Sequence, residues 1–156
     1  MNAEDALSSA LMNLHGLAQE SGATVTYDPL PSVNAHHDHL VQVFQNLISN
    51  AIKYRREDVP PRVHVSAVLV DGDHWRFSVR DNGQGFDSKY AKLIFGAFKR
   101  LHGQDVPGNG IGLATCKRII ELNGGTIWAE SDGTNCGATF WFTLPSAGLD
   151  HEFSDV

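Results

Sequence analysis

The sequence predicts a two-layer α/β sandwich: a mixed, mostly antiparallel sheet with its helices on one face. Three observations predict it. Residues 38–54 carry the strongest helical apolar period in the chain. The strand candidates come in clustered pairs. The element order reads α-β-α-β-β-α-α-β-β. A length of 156 residues is one ordinary domain with enough chain to bury a core.

Each element has its own warrant. Leu7, Leu11, Leu14 and Leu17, with Ala10 and Ala18, set a helical period over 3–20, ended by Ser21-Gly22. TVTYD (24–28) is a short strand stopped by Pro29 and Pro31. In the helix Asp38 to Tyr54, residues Leu40, Val43, Phe44, Leu47, Ile48 and Ala51 form one apolar face. RVHVSAVLV (62–70) and HWRFSVR (74–80) are strands joined by a hairpin turn at Asp71-Gly72-Asp73. A short helix is expected around 88–94, and residues 99–109 have no period and read as a mobile loop. A second long helix covers Gly110 to Leu122, stopped by Asn123-Gly124-Gly125. TIWAES (126–131) and ATFWFTL (138–144) close the domain as an antiparallel pair, and a polar, acidic tail follows Pro145.

Composition excludes several functions. Twelve basic residues against 18 acidic ones give a net charge of −6, which disfavours binding nucleic acid by phosphate neutralisation. No apolar run approaches the roughly 20 residues of a membrane span, and the acidic start MNAEDALSSA is unlike a signal peptide. The two cysteines, Cys116 and Cys136, lack metal-ligand spacing and suit a reducing cytoplasm.

Three segments can carry chemistry. On the helix 38–54, Asn46, Asn50 and Lys53 fall within an arc of roughly 60°, away from the apolar face. Asn is a poor interior helix residue. Two carboxamides beside an ammonium suit a Mg²⁺-phosphate group, because Mg²⁺ takes one or two protein oxygens along with phosphate oxygens. A solvated polar face fits them as well. Asp81-Asn82-Gly83-Gln84-Gly85-Phe86 follows a strand. It reads as a hairpin turn or as a flat ligand pocket whose carboxylate accepts from an amine such as that of adenine. The residues after it do not alternate as a return strand should. Gly108-Asn109-Gly110-Ile111-Gly112 opens a helix, as a phosphate-facing anion site or as a plain hinge. It matches neither a Walker loop nor a Rossmann fingerprint.

Together, in this order, the three segments resemble the N box (46–54), G1 box (81–86) and G2 box (108–114) of the GHKL ATPase superfamily of gyrase, the ninety-kilodalton heat-shock chaperone, histidine kinases and MutL. FGAFKRLH (95–102) looks like the F box of sensor histidine kinases. IGLATCKRIIELNGGTIWAES and GATFWFTLP are similar to their phytochrome-like branch. The resemblance covers about residues 22–145.

It implies a Bergerat-type fold that binds ATP and Mg²⁺ and passes the γ-phosphoryl to a histidine. Asn50, with Asn46, would meet the metal. Asn46 stands where gyrase and the chaperone carry a water-activating Glu, and an amide cannot be a general base. Lys53 would reach a phosphate and Tyr54 would border the nucleotide. Asp81 would take the adenine amino group, with Thr139 a partner through water. Gly83 and Gly85 would shape the base pocket. Gly108, Gly110, Gly112 and Leu113 would belong to the lid around the phosphates, and Lys99 and Arg100 would approach the γ-phosphate.

The chain departs from the family at Asn109, where Thr or Ser is common, and at Asn123, where His is usual. His36-His37-Asp38-His39 reads as a polar helix start. None of the eight histidines carries the phosphoacceptor pattern; His151-Glu152-Phe153 is similar only superficially. Residues 1–21 are therefore expected to be a helical connector from a dimerisation hairpin, 22–145 the catalytic domain and 146–156 a tail. The acceptor would lie on a separate dimerisation and histidine-phosphotransfer domain, with a response regulator downstream, in the cytoplasm. The same boxes would also fit a GHKL protein serine kinase of the anti-sigma type, or a non-catalytic nucleotide-binding interaction module.

Overall fold

The computed structural model describes residues 1–96 and 112–147. Within them the elements are α1 (Ala3–Asn13), α2 (His15–Ser21), β1 (Thr24–Tyr27), α3 (His37–Lys53), β2 (Arg62–Val70), β3 (His74–Asp81), α4 (Gly112–Leu122), β4 (Ile127–Glu130) and β5 (Ala138–Pro145). The strands form one sheet in the order β1-β2-β3-β5-β4. β1 runs parallel to β2, and every other pairing is antiparallel. The parallel pair is made possible by α3, whose crossover returns the chain to the starting end of the sheet. Asp71 (φ 53°) and Gly72 (φ 76°) turn β2 into β3, as the sequence predicts.

One face of the sheet carries the core. Along β5, buried Ala138, Phe140, Phe142 and Leu144 alternate with partly exposed Thr139, Trp141 and Thr143. Phe77 of β3 pairs with Phe142 and stacks on it at 4.9 Å. Phe44 of α3 meets both rings edge-on, at 6.2 and 5.9 Å. Leu40, Val43, Leu47, Ile48 and Ile52 complete the buried face of α3. The other face of the sheet is polar and aromatic. There Ser66 and Ser78 share a hydrogen bond, and the Arg76 guanidinium lies 5.1 Å over Trp141.

Two expectations change. The helix over 3–20 is two helices, broken at Leu14 (φ −98°, ψ 5°). The break lets Leu14 bury itself, 7 % exposed, while α2 stays on the surface. The helix expected around 88–94 is two short 3-10 turns, Ser88–Tyr90 and Leu93–Phe95. Glycines precede and follow this stretch, and Asp87 caps its first turn through Lys89 N–H. Packing also crosses residue 21, where the connector was expected to end. α1 buries Ala3, Ala6, Leu7 and Ala10 in the same core as α3 and the sheet. Leu30 N–H also donates to Glu4 at 2.9 Å, and Ala3 N–H to the Pro31 carbonyl at 3.0 Å.

Asn123, where the family commonly has His, has a structural use. Its Oδ1 accepts from His36 N–H at 3.2 Å, and its Nδ2 lies 3.1 Å from His39 Nδ1 and donates to the Ile119 carbonyl at 2.8 Å. It ties the end of α4 to the start of α3. The histidines beside it form the start of α3, with His36 at the N-cap and His37 in its first turn.

If α1 belongs to the core, Leu7→Ala leaves a cavity beneath α3. The expected loss is about 2–4 kcal/mol in urea denaturation. A loss within about 0.5 kcal/mol, typical of a surface site, would return α1 to the role of a connector.

Candidate nucleotide site

The site is built along α3. Its polar stripe presents Asn46 and Asn50, both partly buried, and Lys53, which is exposed. Other segments close on both ends of the stripe. At one end, Asn46 Nδ2 donates to the Gly112 carbonyl at 3.3 Å, which places the first turn of α4 beside it. At the other end, Gln84 N–H donates to the Tyr54 carbonyl at 2.8 Å. A Cβ on Gly83 would lie 2.8 Å from that same oxygen, so only glycine lets the turn after β3 approach α3 this closely. Asn46 and Tyr54 are about 12 Å apart along the helix axis, the scale of an extended nucleoside triphosphate.

Asp81 ends β3 on the core side of the sheet, paired with Val63 and Ala138. Its Oδ1 accepts the N–H groups of Gly83 at 2.9 Å and Ala138 at 3.2 Å. Oδ2 takes neither. Burial pushes the carboxyl up from its usual 3.8 to about 6, against the pull of those two donors. With both donors on Oδ1, the oxygen that gains a proton is Oδ2.

The turn itself is clamped from outside. Asn82 Oδ1 accepts from Arg62 N–H at 2.8 Å, and its Nδ2 donates to the Pro60 carbonyl at 3.0 Å. Gly85 (φ +67°) is pressed so closely that a Cβ would meet the Gly133 and Gly137 carbonyls and Ser131 Oγ within 2.7 Å. Beneath Asn46, the buried Cys116 thiol is pushed up to about 12 by loss of solvent, so it is a neutral packing group.

The structure brings Asn46 against Gly112 at one end of the α3 stripe and Tyr54 against the Gly83–Gln84 turn at the other, with Asp81 bonded to Gly83. Thr139 pairs with Arg80, one residue along from the Asp81–Ala138 pair, and lines one cavity together with Asp81, Ser131 and Ala138. Ala138 holds the position beside the carboxylate and contributes its N–H. Lys99, Arg100, Gly108 and Gly110 lie outside the described residues, as do Asn109, the F box beyond Gly96, and His151-Glu152-Phe153. Sequence reasoning missed Ala138, Asn82 and Ser131. Asn82 and Ser131 bond to backbone far along the chain, to Arg62 and Pro60 and to Phe86, which no local pattern signals.

A carboxamide pair without surrounding acids suits a metal that arrives with phosphates. Asn50 and Asn46 offer hard oxygens of the kind Mg²⁺ accepts, and Mg²⁺ needs few of them.

The model of the "Histidine kinase-, DNA gyrase B-, and HSP90-like ATPase" family matches residues 35–148. This chain belongs to that family. Among curated proteins it is similar to cyanobacterial phytochrome A of Nostoc sp., 50% identical over 150 residues. That match covers 96% of the chain and 19% of the phytochrome, so the chain spans about a fifth of its relative's length. The fold matches the mycobacterial sensor histidine kinase MprB with a TM-score of 0.79 at 22% identity, over 93% of this chain and 96% of that one. Full-length ShkA, solved in complex with AMPPNP, aligns at 30% identity and TM-score 0.78, over 93% of this chain and 30% of its own. Among the described residues of this family member, no helix is long and apolar enough to cross a membrane.

The raised carboxyl sets a pH dependence. Between 3.8 and about 6 the folded chain holds a proton on Asp81 that the unfolded chain has released. The Asp81 contribution to stability therefore falls as pH rises through that window, by roughly 3 kcal/mol at most. Urea titrations from pH 4 to 7 are expected to show this slope in the wild-type chain and its loss in Asp81→Asn. Parallel pH profiles for the two proteins would remove Asp81 as the buried acid.

Proposed function

We propose that this chain is the ATP- and Mg²⁺-binding catalytic domain of a two-component sensor histidine kinase. In this reading it passes the γ-phosphoryl of ATP to a histidine on a separate dimerisation domain, and a response regulator receives the group afterwards in the cytoplasm. The observation that carries the reading is the Asp81 carboxylate, anchored through Oδ1 by two backbone N–H groups at the Tyr54 end of the α3 stripe. The relation to a phytochrome and the bound AMPPNP of ShkA support it.

Each residue has a part. Asp81 Oδ2 accepts from the adenine amino group, an interaction that guanine, with an acceptor at that position, cannot make. Gly83 leaves room for the flat base. Asn50, assisted by Asn46, holds Mg²⁺, which when bound neutralises charge on the phosphates. Lys53 supplies a mobile positive charge, and the N-terminus of α4, beginning at Gly112, turns its dipole toward the anion. Lys99 and Arg100, with Gly108 and Gly110, would serve the γ-phosphate from the lid. Transfer then requires positioning more than covalent help. The neutral acceptor imidazole attacks the γ-phosphorus as the bond to the ADP oxygen breaks, and its other nitrogen carries the proton. Asn46, an amide where hydrolytic relatives hold a carboxylate, leaves water unactivated, so the phosphoryl group is kept for the imidazole.

Two measurements test the reading. In calorimetry with ATP and Mg²⁺, Asp81→Asn is expected to lose about 100-fold or more in affinity with its circular dichroism unchanged; undiminished affinity would overturn the base pocket. With radiolabelled ATP, the chain alone should remain unlabelled. Adding a dimerisation domain with its acceptor histidine should give acid-labile, alkali-stable label on that domain. Acid-stable label on a protein substrate would point instead to a serine kinase, and no ATP binding at all to an interaction module.

A further inference from the structure

Ser131 is the first residue past β4, and the nucleotide reading gives it no part. A hydroxyl has one proton to donate and two lone pairs, and this one uses all three. Ser131 Oγ accepts the N–H groups of Phe86 at 3.1 Å and Gly133 at 3.2 Å. It donates to the Gly137 carbonyl at 2.6 Å, with the Gly133 carbonyl farther off at 3.2 Å.

These partners lie on two segments that meet at Asp81. Phe86 closes the glycine turn that opens with the acid. Gly137 N–H donates to the Gly83 carbonyl at 3.0 Å, and the next N–H along, that of Ala138, is one of the two anchors on Asp81 Oδ1. The other anchor is Gly83. Contacts at Gly85, whose Cβ would lie 2.7 Å from both Ser131 Oγ and the Gly137 carbonyl, leave no slack between the segments.

We propose that Ser131 is a positioning residue for base recognition: its hydroxyl locks the 131–137 loop to the 81–86 turn, so that both N–H anchors stay aimed at Asp81 Oδ1 and Oδ2 faces the purine amine. The inference rests on the reading of Asp81 as the adenine acceptor. Because Ser131 acts through Asp81 and not on the phosphates, its loss should appear as lost discrimination between bases.

The experiment measures ATP affinity by calorimetry and GTP affinity by competition, in the wild-type chain, Ser131→Ala and Ser131→Thr, with thermal melting in parallel. Ser131→Ala is expected to weaken ATP binding about tenfold and GTP binding by less than about twofold, so the ATP-to-GTP preference falls. Ser131→Thr keeps the hydroxyl and should recover most of it. If Ser131→Ala does not fold, Ser131→Cys fills the same space with a weakly bonding group and is read the same way. Unchanged ATP affinity, or an equal loss for both nucleotides, overturns the positioning role. A wild-type chain that binds no ATP refutes the reading of Asp81 and this inference with it. Loss of binding in Asp81→Asn with none in Ser131→Ala refutes the inference alone.

Discussion

A carboxylate at the end of β3 is the point where the structure sets two forces against each other. Removing Asp81 from water favours its neutral form, while the N–H groups of Gly83 and Ala138 favour its charge. Burial has the larger effect, so the folded chain carries an acid that is costly to ionise until a donor reaches Oδ2. In the proposed reading a ligand amine supplies that donor. A site of this kind is selective because an unpaired buried acceptor penalises any ligand that cannot complete it.

Much of the fold serves to hold that acid still. Its two anchors come from different places in the chain, one from the turn it begins and one from β5. The turn is fixed to the end of α3 by the Tyr54 carbonyl and to the loop before β2 through Asn82. The same helix carries the core on its other side, with Phe44 against Phe77 and Phe142. α3 thus shows an apolar face to the sheet and a polar stripe to the ligand side. The packing that stabilises the domain also sets the distance between the base end and the phosphate end of the site. The stacked pair at the centre of the sheet and the Asn46 and Asn50 amides are joined by one helix, α3.

Local patterns made the strands, the β2–β3 hairpin, α3 and the closing antiparallel pair readable, because alternation and a 3.6-residue period are properties of neighbouring residues. Asn46, Asn50 and Asp81 were readable for a related reason: each breaks its local pattern, and polar residues in such places need a use. Errors arose where distant chain segments decide. Leu14 leaves the helical path to bury itself. Residues 88–95 have the composition of a short helix, but Asp87 turns back on the backbone and only 3-10 turns form. Ala138, without a polar side chain, gave no signal, since its contribution is a backbone N–H.

The sequence by itself determined the layer architecture, the family and the chemical kinds of group available: two amides, one acid, and glycines at the turns. The architecture follows from short-range periodicity and the available groups from composition, which survive without knowledge of contacts; the family follows from the resemblance of three motifs. Only the tertiary structure decided that α1 shares the core, that the Ala138 N–H reaches the acid, and that Ser131 links the two segments holding it. Strand register and the meeting of loops depend on cross-chain hydrogen bonds between residues dozens of positions apart, and no local pattern encodes those pairings.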